Sequence, residues 1–236
     1  MSNLVNYTRV VLKLSGEALK LGDDIISNNK VQHFCEQIQY LVSLNIGVVV
    51  IIGGGNLLRG ATTNLNTNRF KADNMGMLAT LINSIAVQDA LEKMSIKSVV
   101  LNSFEANKVA EYYTSENANK YLQDNTVVIC SGGVANPYFS TDTCAVLRAL
   151  ETNCDVILKG TQVDGVYDSD PKQNQNAKKF STISYNDVIE KNLKIMDLTA
   201  IIMAKNNNLP IIIFDIHKKD SIKQILTNIN FGSIIK

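Results

Sequence analysis

Three short stretches hold residues that together could handle phosphate. Lys13-Leu14-Ser15-Gly16 brings an ammonium, a hydroxyl and a glycine amide to one point of the chain. Gly53-Gly54-Gly55-Asn56-Leu57-Leu58-Arg59-Gly60 offers bare backbone N–H groups and a guanidinium with a forked donor set. Gly132-Gly133-Val134-Ala135-Asn136-Pro137-Tyr138-Phe139-Ser140-Thr141-Asp142 combines a second glycine pair with two hydroxyls and a carboxylate. None is a common nucleotide motif. Leu58 stands where G-x-G-x-x-G/A needs its last small residue, and no Gly-Lys pair exists for a P-loop.

The elements that must position these stretches follow from the apolar runs. Residues 8–14 and 46–52 are apolar and rich in β-branched side chains, which predicts strands buried on both faces of a parallel sheet. Between them, residues 28–45 carry Val31, Phe34, Cys35, Ile38, Leu41 and Val42 at helical spacing, with Asn28 or Asn29 as the cap. Further strands are predicted over 97–101, 126–131, 154–159, 210–214 and 233–235. Helices are predicted over 69–94, 114–123, 143–151, 185–191, 198–206 and 220–226. Alternating strands and helices are the pattern of an α/β fold, whose ligands collect at the carboxyl ends of the strands. All three stretches lie at the ends of predicted strands.

Composition bounds the class. The 236 residues suffice for one large α/β domain or two small ones, and no linker or composition break divides them, so one domain with two lobes is expected. A net charge of +1 gives no reason to expect a nucleic acid or an anionic membrane as partner, and no apolar run is long enough to span a bilayer. Four cysteines without a C-x-x-C pair or a secretory signal read as reduced thiols of a cytoplasmic protein. Two histidines, His33 and His217, exclude a His-rich metal site, and no metal-ligating cluster is expected from the chain.

Individual residues leave two readings open. Lys13 either snorkels from its strand or meets a partner or ligand at the strand end. Asp73, near the start of a helix, either caps it or accepts two hydrogen bonds from a ribose diol. Asp142 is either a cap or first-turn residue, or a charge partner of Lys13. Gly76 within a helix calls for a packing reason. The pair Lys178-Lys179 reads as a solvated face.

Taken in order, Lys13 to Leu19, Gly53 to Gly60, Asp73 to Thr80, Asn136 to Asp142 and Val163 to Pro171 resemble the amino acid kinase fold family, and within it the bacterial uridylate kinases. The resemblance runs from about Arg9 to Ile235. It implies a three-layer αβα sandwich around a largely parallel central sheet. It also implies transfer of the γ-phosphoryl of ATP to UMP, with Mg²⁺ accompanying ATP, by a homohexamer.

The resemblance assigns catalysis to Lys13, Arg59 and Asp142. ATP contacts fall on Lys13, Leu14, Ser15, Gly16, Gly55, Arg59, Thr161, Tyr167 and Asp170. UMP contacts fall on Gly54, Asp73, Val134, Ala135, Asn136, Pro137, Tyr138, Phe139, Ser140 and Thr141. The acceptor lobe would span about 1–155 and the ATP lobe about 156–236. Val134-Ala135 departs from the Thr-Gly-like pair usual at that place, and Asp197 matches an aspartate without an assigned role. Two competing readings are a kinase of this fold acting on a carboxylate or carbamate, and a non-catalytic nucleotide or oxyanion binder.

Overall fold

The run Arg-Val-Val-Leu-Lys-Leu forms β1, Arg9–Leu14, and its apolar side chains are buried on both faces. Such a strand needs cover above and below, and helices on the two sides of the sheet supply it. The computed structural model describes residues 6–58, 67–171, 173–228 and 231–236. Within these, β1 is followed by a 3₁₀ turn, Gly16–Leu19, then α1 (Asn28–Ser43), β2 (Gly47–Ile52), the single turn α2 (Gly55–Leu58) and α3 (Arg69–Lys93). Next come β3 (Ser98–Asn102), β4 (Glu111–Tyr112), α4 (Ser115–Gln123), β5 (Val127–Ser131) and α5 (Thr141–Glu151). The last third holds β6 (Val156–Thr161), β7 (Val166–Tyr167), β8 (Lys179–Phe180), β9 (Thr182–Ile183), α6 (Tyr185–Glu190), α7 (Leu198–Asn206), β10 (Ile211–Asp215), α8 (Ser221–Thr227) and β11 (Ser233–Ile235).

Nine of the described strands form one sheet in the order β4-β3-β5-β2-β1-β6-β10-β11-β9. Every pairing in it is parallel except β10 with β11. Two apolar clusters cover its faces. One is built on Leu12, Leu14, Phe34, Ile38, Val50 and Phe214, the other on Val11, Val49, Ile51, Val146, Ile157 and Ile201. Alternate residues of β1 and β2 thus feed opposite layers, as the two-residue period of a strand requires. The α/β class and the sandwich of layers agree with expectation.

Several local expectations change. Helix α1 starts after Ser27, whose side chain makes no capping bond, so neither Asn28 nor Asn29 is the cap. Strands β4, β7, β8 and β9 were not foreseen, because two residues are too few for a period to show. Lys179 is not simply solvated: it is half-buried in β8, 3.5 Å from Asp164, and donates to the Phe231 carbonyl. All four cysteines are buried free thiols. No helix among the described residues is long and apolar enough to cross a membrane.

The glycines of the first two loops interlock. A Cβ on Gly16 would collide with Asn56 Oδ1 and the Gly53 carbonyl. One on Gly54 would stand 2.7 Å from Ala79 Cβ and 2.9 Å from the Gly76 carbonyl, both on the rigid α3. Gly54→Ala is therefore expected to destabilise by about 1–3 kcal/mol, the usual cost of overpacking, read as a lowered melting temperature. An unchanged melting temperature would show that α3 yields. Gly76 has no such packing reason: a Cβ there meets nothing within 4 Å.

Candidate active site

Lys13 of β1 and Lys159 of β6 stand opposite each other in register, near the carboxyl ends of adjacent strands. Both are more than nine-tenths buried. Two ammonium groups so placed repel each other and lose hydration, so an anion must join them. Asp142, the second residue of α5, does so. Its Oδ1 lies 2.5 Å from Lys13 Nζ, and its Oδ2 accepts from Lys159 Nζ at 2.7 Å. Lys159 also donates to the Ile195 carbonyl at 2.5 Å.

The electrostatics follow from this arrangement. Burial works to raise the Asp142 pKa, but the attraction of Lys13 and Lys159 prevails and holds the carboxyl below its ordinary range. Lys159 moves the other way. Burial first, then repulsion from Lys13, lower its pKa to about 8 against the pull of Asp142. One carboxylate shared by two cations leaves a net positive point at the strand ends, which suits a polyanion.

The cap reading of Asp142 does not hold. Ser140 caps α5, its hydroxyl oxygen accepting from the N–H groups of Asp142 and Thr143 at 2.9 and 3.2 Å. The Ser140 hydroxyl proton goes to Asp197 Oδ2, and Thr143 Oγ1 reaches the same carboxylate at 3.0 Å. Asp197 in turn caps α7 through the Ala200 N–H at 2.9 Å. It ties the starts of α5 and α7 together, which gives this residue a structural part that the sequence left open.

Two clefts adjoin this cluster. The larger, about 830 Å³, is lined by Lys13, Ser15, Lys159, Thr161, Tyr167 and Asp170, among others. The smaller, about 220 Å³, is lined by Gly54, Gly55, Asp73, Asn136, Phe139 and Thr141, with Gly76, Met77 and Thr80 of α3. The loops that line them touch: a Cβ on Gly55 of the smaller cleft would lie 3.7 Å from the Glu17 carboxylate of the larger, and one on Gly53 would lie 3.2 Å from the Gly16 N and 3.5 Å from Thr141 Oγ1. Gly55, expected among the ATP contacts, lines the smaller cleft on the side that faces Glu17 of the larger one.

Asp73 is not a cap either. Asn68 caps α3 by accepting from the Lys71 N–H at 3.0 Å. Asp73 Oδ2 accepts the Tyr138 N–H at 2.8 Å, and Arg69 Nε lies 3.5 Å away. Tyr138 joins the site through this backbone bond, in a left-handed conformation of φ +73°.

Other expected residues lie elsewhere. The Leu14 side chain is fully buried in the core, and only its carbonyl serves the loops, accepting the Gly53 N–H at 2.9 Å. Gly16 is packed under Asn56 and Gly53, lining neither cleft. Val134 and Ala135 face a separate hollow of about 400 Å³. Pro137 lines neither cleft, and the Ser140 hydroxyl is spent on Asp197. Arg59 lies outside the described residues.

Lys159 is the functional candidate that sequence reasoning missed, and a signal for it existed. Val10-Val11-Leu12-Lys13 is echoed by Val156-Ile157-Leu158-Lys159, a lysine after three apolar residues in both. The parallel register of β1 with β6 turns that echo into a pair.

Comparison with known proteins agrees with this geometry. The sequence profile of the amino acid kinase family matches residues 8–215. A uridylate kinase of Rickettsia bellii (strain RML369-C) is 44% identical over 229 residues, spanning 96% of this chain and 95% of the relative. Among solved structures, the UMP kinase of Bacillus anthracis superposes with a TM-score of 0.94 at 36% identity, over 98% of this chain and 96% of that one. The UMP kinase of Ureaplasma parvum gives 0.93 at 38% identity, over 98% and 100%. The chain belongs to the amino acid kinase family, in the branch formed by its uridylate kinases.

Proposed function

We infer that the chain is a UMP kinase that moves the γ-phosphoryl of ATP onto the phosphate of UMP, giving UDP and ADP. The larger cleft takes ATP and the smaller takes UMP. One observation supports this reading: Lys13 and Lys159 line the larger cleft, and Asp142, which joins them, directly follows Thr141 of the smaller cleft. Phosphoryl transfer needs alignment and positive charge more than covalent help from the protein. Lys13 offsets charge on the transferring group, and Asp142 aims it. Arg59, outside the described residues, is carried over from the family resemblance as a second cation for the phosphates. No general base is required, because the UMP phosphate oxygen is already ionised at neutral pH.

Residues up to about 155 supply the acceptor side, and those beyond it most of the ATP side. Ser15, Thr161, Tyr167 and Asp170 are the ATP contacts this arrangement favours. Gly54, Gly55, Asn136, Phe139 and Thr141 surround the UMP phosphate and base, and Asp73 faces the ribose. Among the described residues no three metal-ligating side chains cluster. The larger cleft is lined by the carboxylates of Glu17, Asp168 and Asp170, hard oxygen donors that fit a Mg²⁺ held chiefly by ATP phosphates and water. The cation would offset charge on the β- and γ-phosphates. The reading extends to a cytoplasmic homohexamer, and an apolar stripe on α3 supports assembly: Leu78, Ile82 and Ile85 are exposed at helical spacing.

The direct test offers ATP–Mg²⁺ with UMP, CMP, dUMP or AMP as acceptor. UDP formed in strong preference supports the reading, and transfer to none of them overturns it. Asp73→Ala is expected to raise KM for UMP about tenfold or more, since a carboxylate accepting from a diol contributes about 1.5–3 kcal/mol. KM for ATP should change less than about twofold. Equal losses on both substrates would remove Asp73 from the ribose.

A further inference from the structure

The loop between β5 and α5 is backed by charge on the side away from the UMP cleft. Gly132, Gly133, Ala135 and Tyr138 all adopt left-handed backbone, at φ +75°, +58°, +60° and +73°. For Ala135 and Tyr138 this conformation costs energy and persists only if the surroundings impose it. Gly133 lines the UMP cleft, yet its carbonyl is turned onto α5 and the Ser103 loop. It lies 2.7 Å from Ser103 Oγ, 3.2 Å from Cys144 Sγ and 3.4 Å from an Arg148 amino nitrogen.

Arg148 is an unusual residue to find there. Its side chain is 7% exposed, and its Nε has no partner. One amino group donates to Ser103 Oγ at 2.9 Å and the other to Glu151 Oε2 at 2.7 Å. The guanidinium stacks 3.7 Å from the centre of the Tyr113 ring, whose hydroxyl donates to the same Glu151 oxygen at 2.7 Å. Burial of a cation this deep is costly, and stability alone gives weak reason to keep it. What the arrangement supplies is a fixed fork. Glu151 and Tyr113 hold the guanidinium plane, and the plane holds Ser103 against the Gly133 carbonyl.

We propose that Arg148 is a positioning residue for the acceptor nucleotide, fixing the Gly133 carbonyl through Ser103 and so holding the strained loop 132–138 in the shape that receives UMP. This rests on the reading of the smaller cleft as the UMP site. Arg148 touches no substrate. It acts from behind the loop, beside the hollow that Val134 and Ala135 share with it. The sequence gives this role no motif, because the four partners come from α5, the β3 end, the loop before α4 and the glycine loop.

The test uses the full-length enzyme, with Ser103→Ala and Arg148→Lys. The first removes the bridging hydroxyl and leaves the ion pair. The second keeps the charge and removes the fork. UMP binding is measured by calorimetry, and steady-state kinetics give KM for each substrate. Both variants should weaken UMP binding and raise its KM about tenfold, the scale of a lost charge-assisted hydrogen bond, with KM for ATP within about twofold of wild type. A purely structural role would lower the active fraction and kcat while leaving both KM values in place, and that result overturns the proposal. So does an equal rise in both KM values. The wild-type titration separates the two levels. Wild type that binds no UMP defeats the cleft assignment and this proposal with it, whereas wild type that binds UMP as tightly as both variants do defeats the role of Arg148 alone.

Discussion

Lys13→Met is expected to lower kcat by about a thousandfold, with KM for UMP nearly unchanged. A single preorganised donor aimed at developing charge is worth about 10²–10³ in turnover, and a cation on a transferring phosphoryl group somewhat more. The effect should fall on kcat because Lys13 lines the larger cleft and pairs with Asp142, the residue after Thr141 of the smaller one, so on the proposed reading it faces the charge that shifts during transfer. Methionine keeps the buried stem, and Asp142 keeps Lys159 at 2.7 Å, so the fold should survive. A circular dichroism melt on the same sample checks this. Lys13→Arg should not restore turnover. A planar guanidinium does not fit the enclosed position of an ammonium 2.5 Å from Asp142 and opposite Lys159. Near wild-type turnover in Lys13→Met would remove Lys13 from the chemistry.

The same region shows where sequence reasoning reaches and where it stops. Apolar runs ending in glycine located the sheet and the three loops at its carboxyl end, because burial and backbone freedom act on neighbouring residues. The parallel order of strands was legible for the same reason. The partners of Asp142 were not. Lys13 and Lys159 are 146 positions apart, and only the β1–β6 register brings them together. Local rules favoured a cap for both Asp73 and Asp142, yet Asn68 and Ser140 had already satisfied those helix starts. Once a cap is taken, a nearby carboxylate is available for other work, and that exclusion needs the backbone to be seen. Ser140 shows the converse. Its type suits phosphate, but the capping bonds and Asp197 use its hydroxyl. Arg148 gave no signal, because a lone arginine in an amphipathic helix reads as surface.

Asp142→Asn should affect turnover, stability and pH dependence together. An amide can accept from one lysine, but its NH₂ then faces the other ammonium as a donor. Two buried cations lose their shared anion, and breaking a buried pair in this way costs about 3–5 kcal/mol. The cost should depend on pH in a set direction. In the wild type, the depressed pKa of Asp142 contributes stability that is present above 3.8 and lost as pH falls through the folded value. The variant lacks that acid-side loss. Lys159 works in the opposite sense. Its folded pKa of about 8 lies below the ordinary 10.5, so the unfolded chain binds more protons between those values and stability rises with pH across them. Without the carboxylate the Lys159 pKa falls further, and the window widens downward. The stability gap between wild type and variant should therefore narrow as pH rises toward about 8 and stay constant above it. Kinetics gives an independent view. If the charged form of Lys159 binds ATP phosphates, kcat/KM for ATP in the wild type should decline above pH about 8, since this ratio reports groups of the free enzyme. In Asp142→Asn the decline should begin at lower pH, on top of a loss of about a hundredfold or more in kcat from a misaimed Lys13. A basic limb at the same pH in both proteins would show that Asp142 does not keep Lys159 charged. The cluster would then be an ion pair of the fold and not a device for holding phosphate.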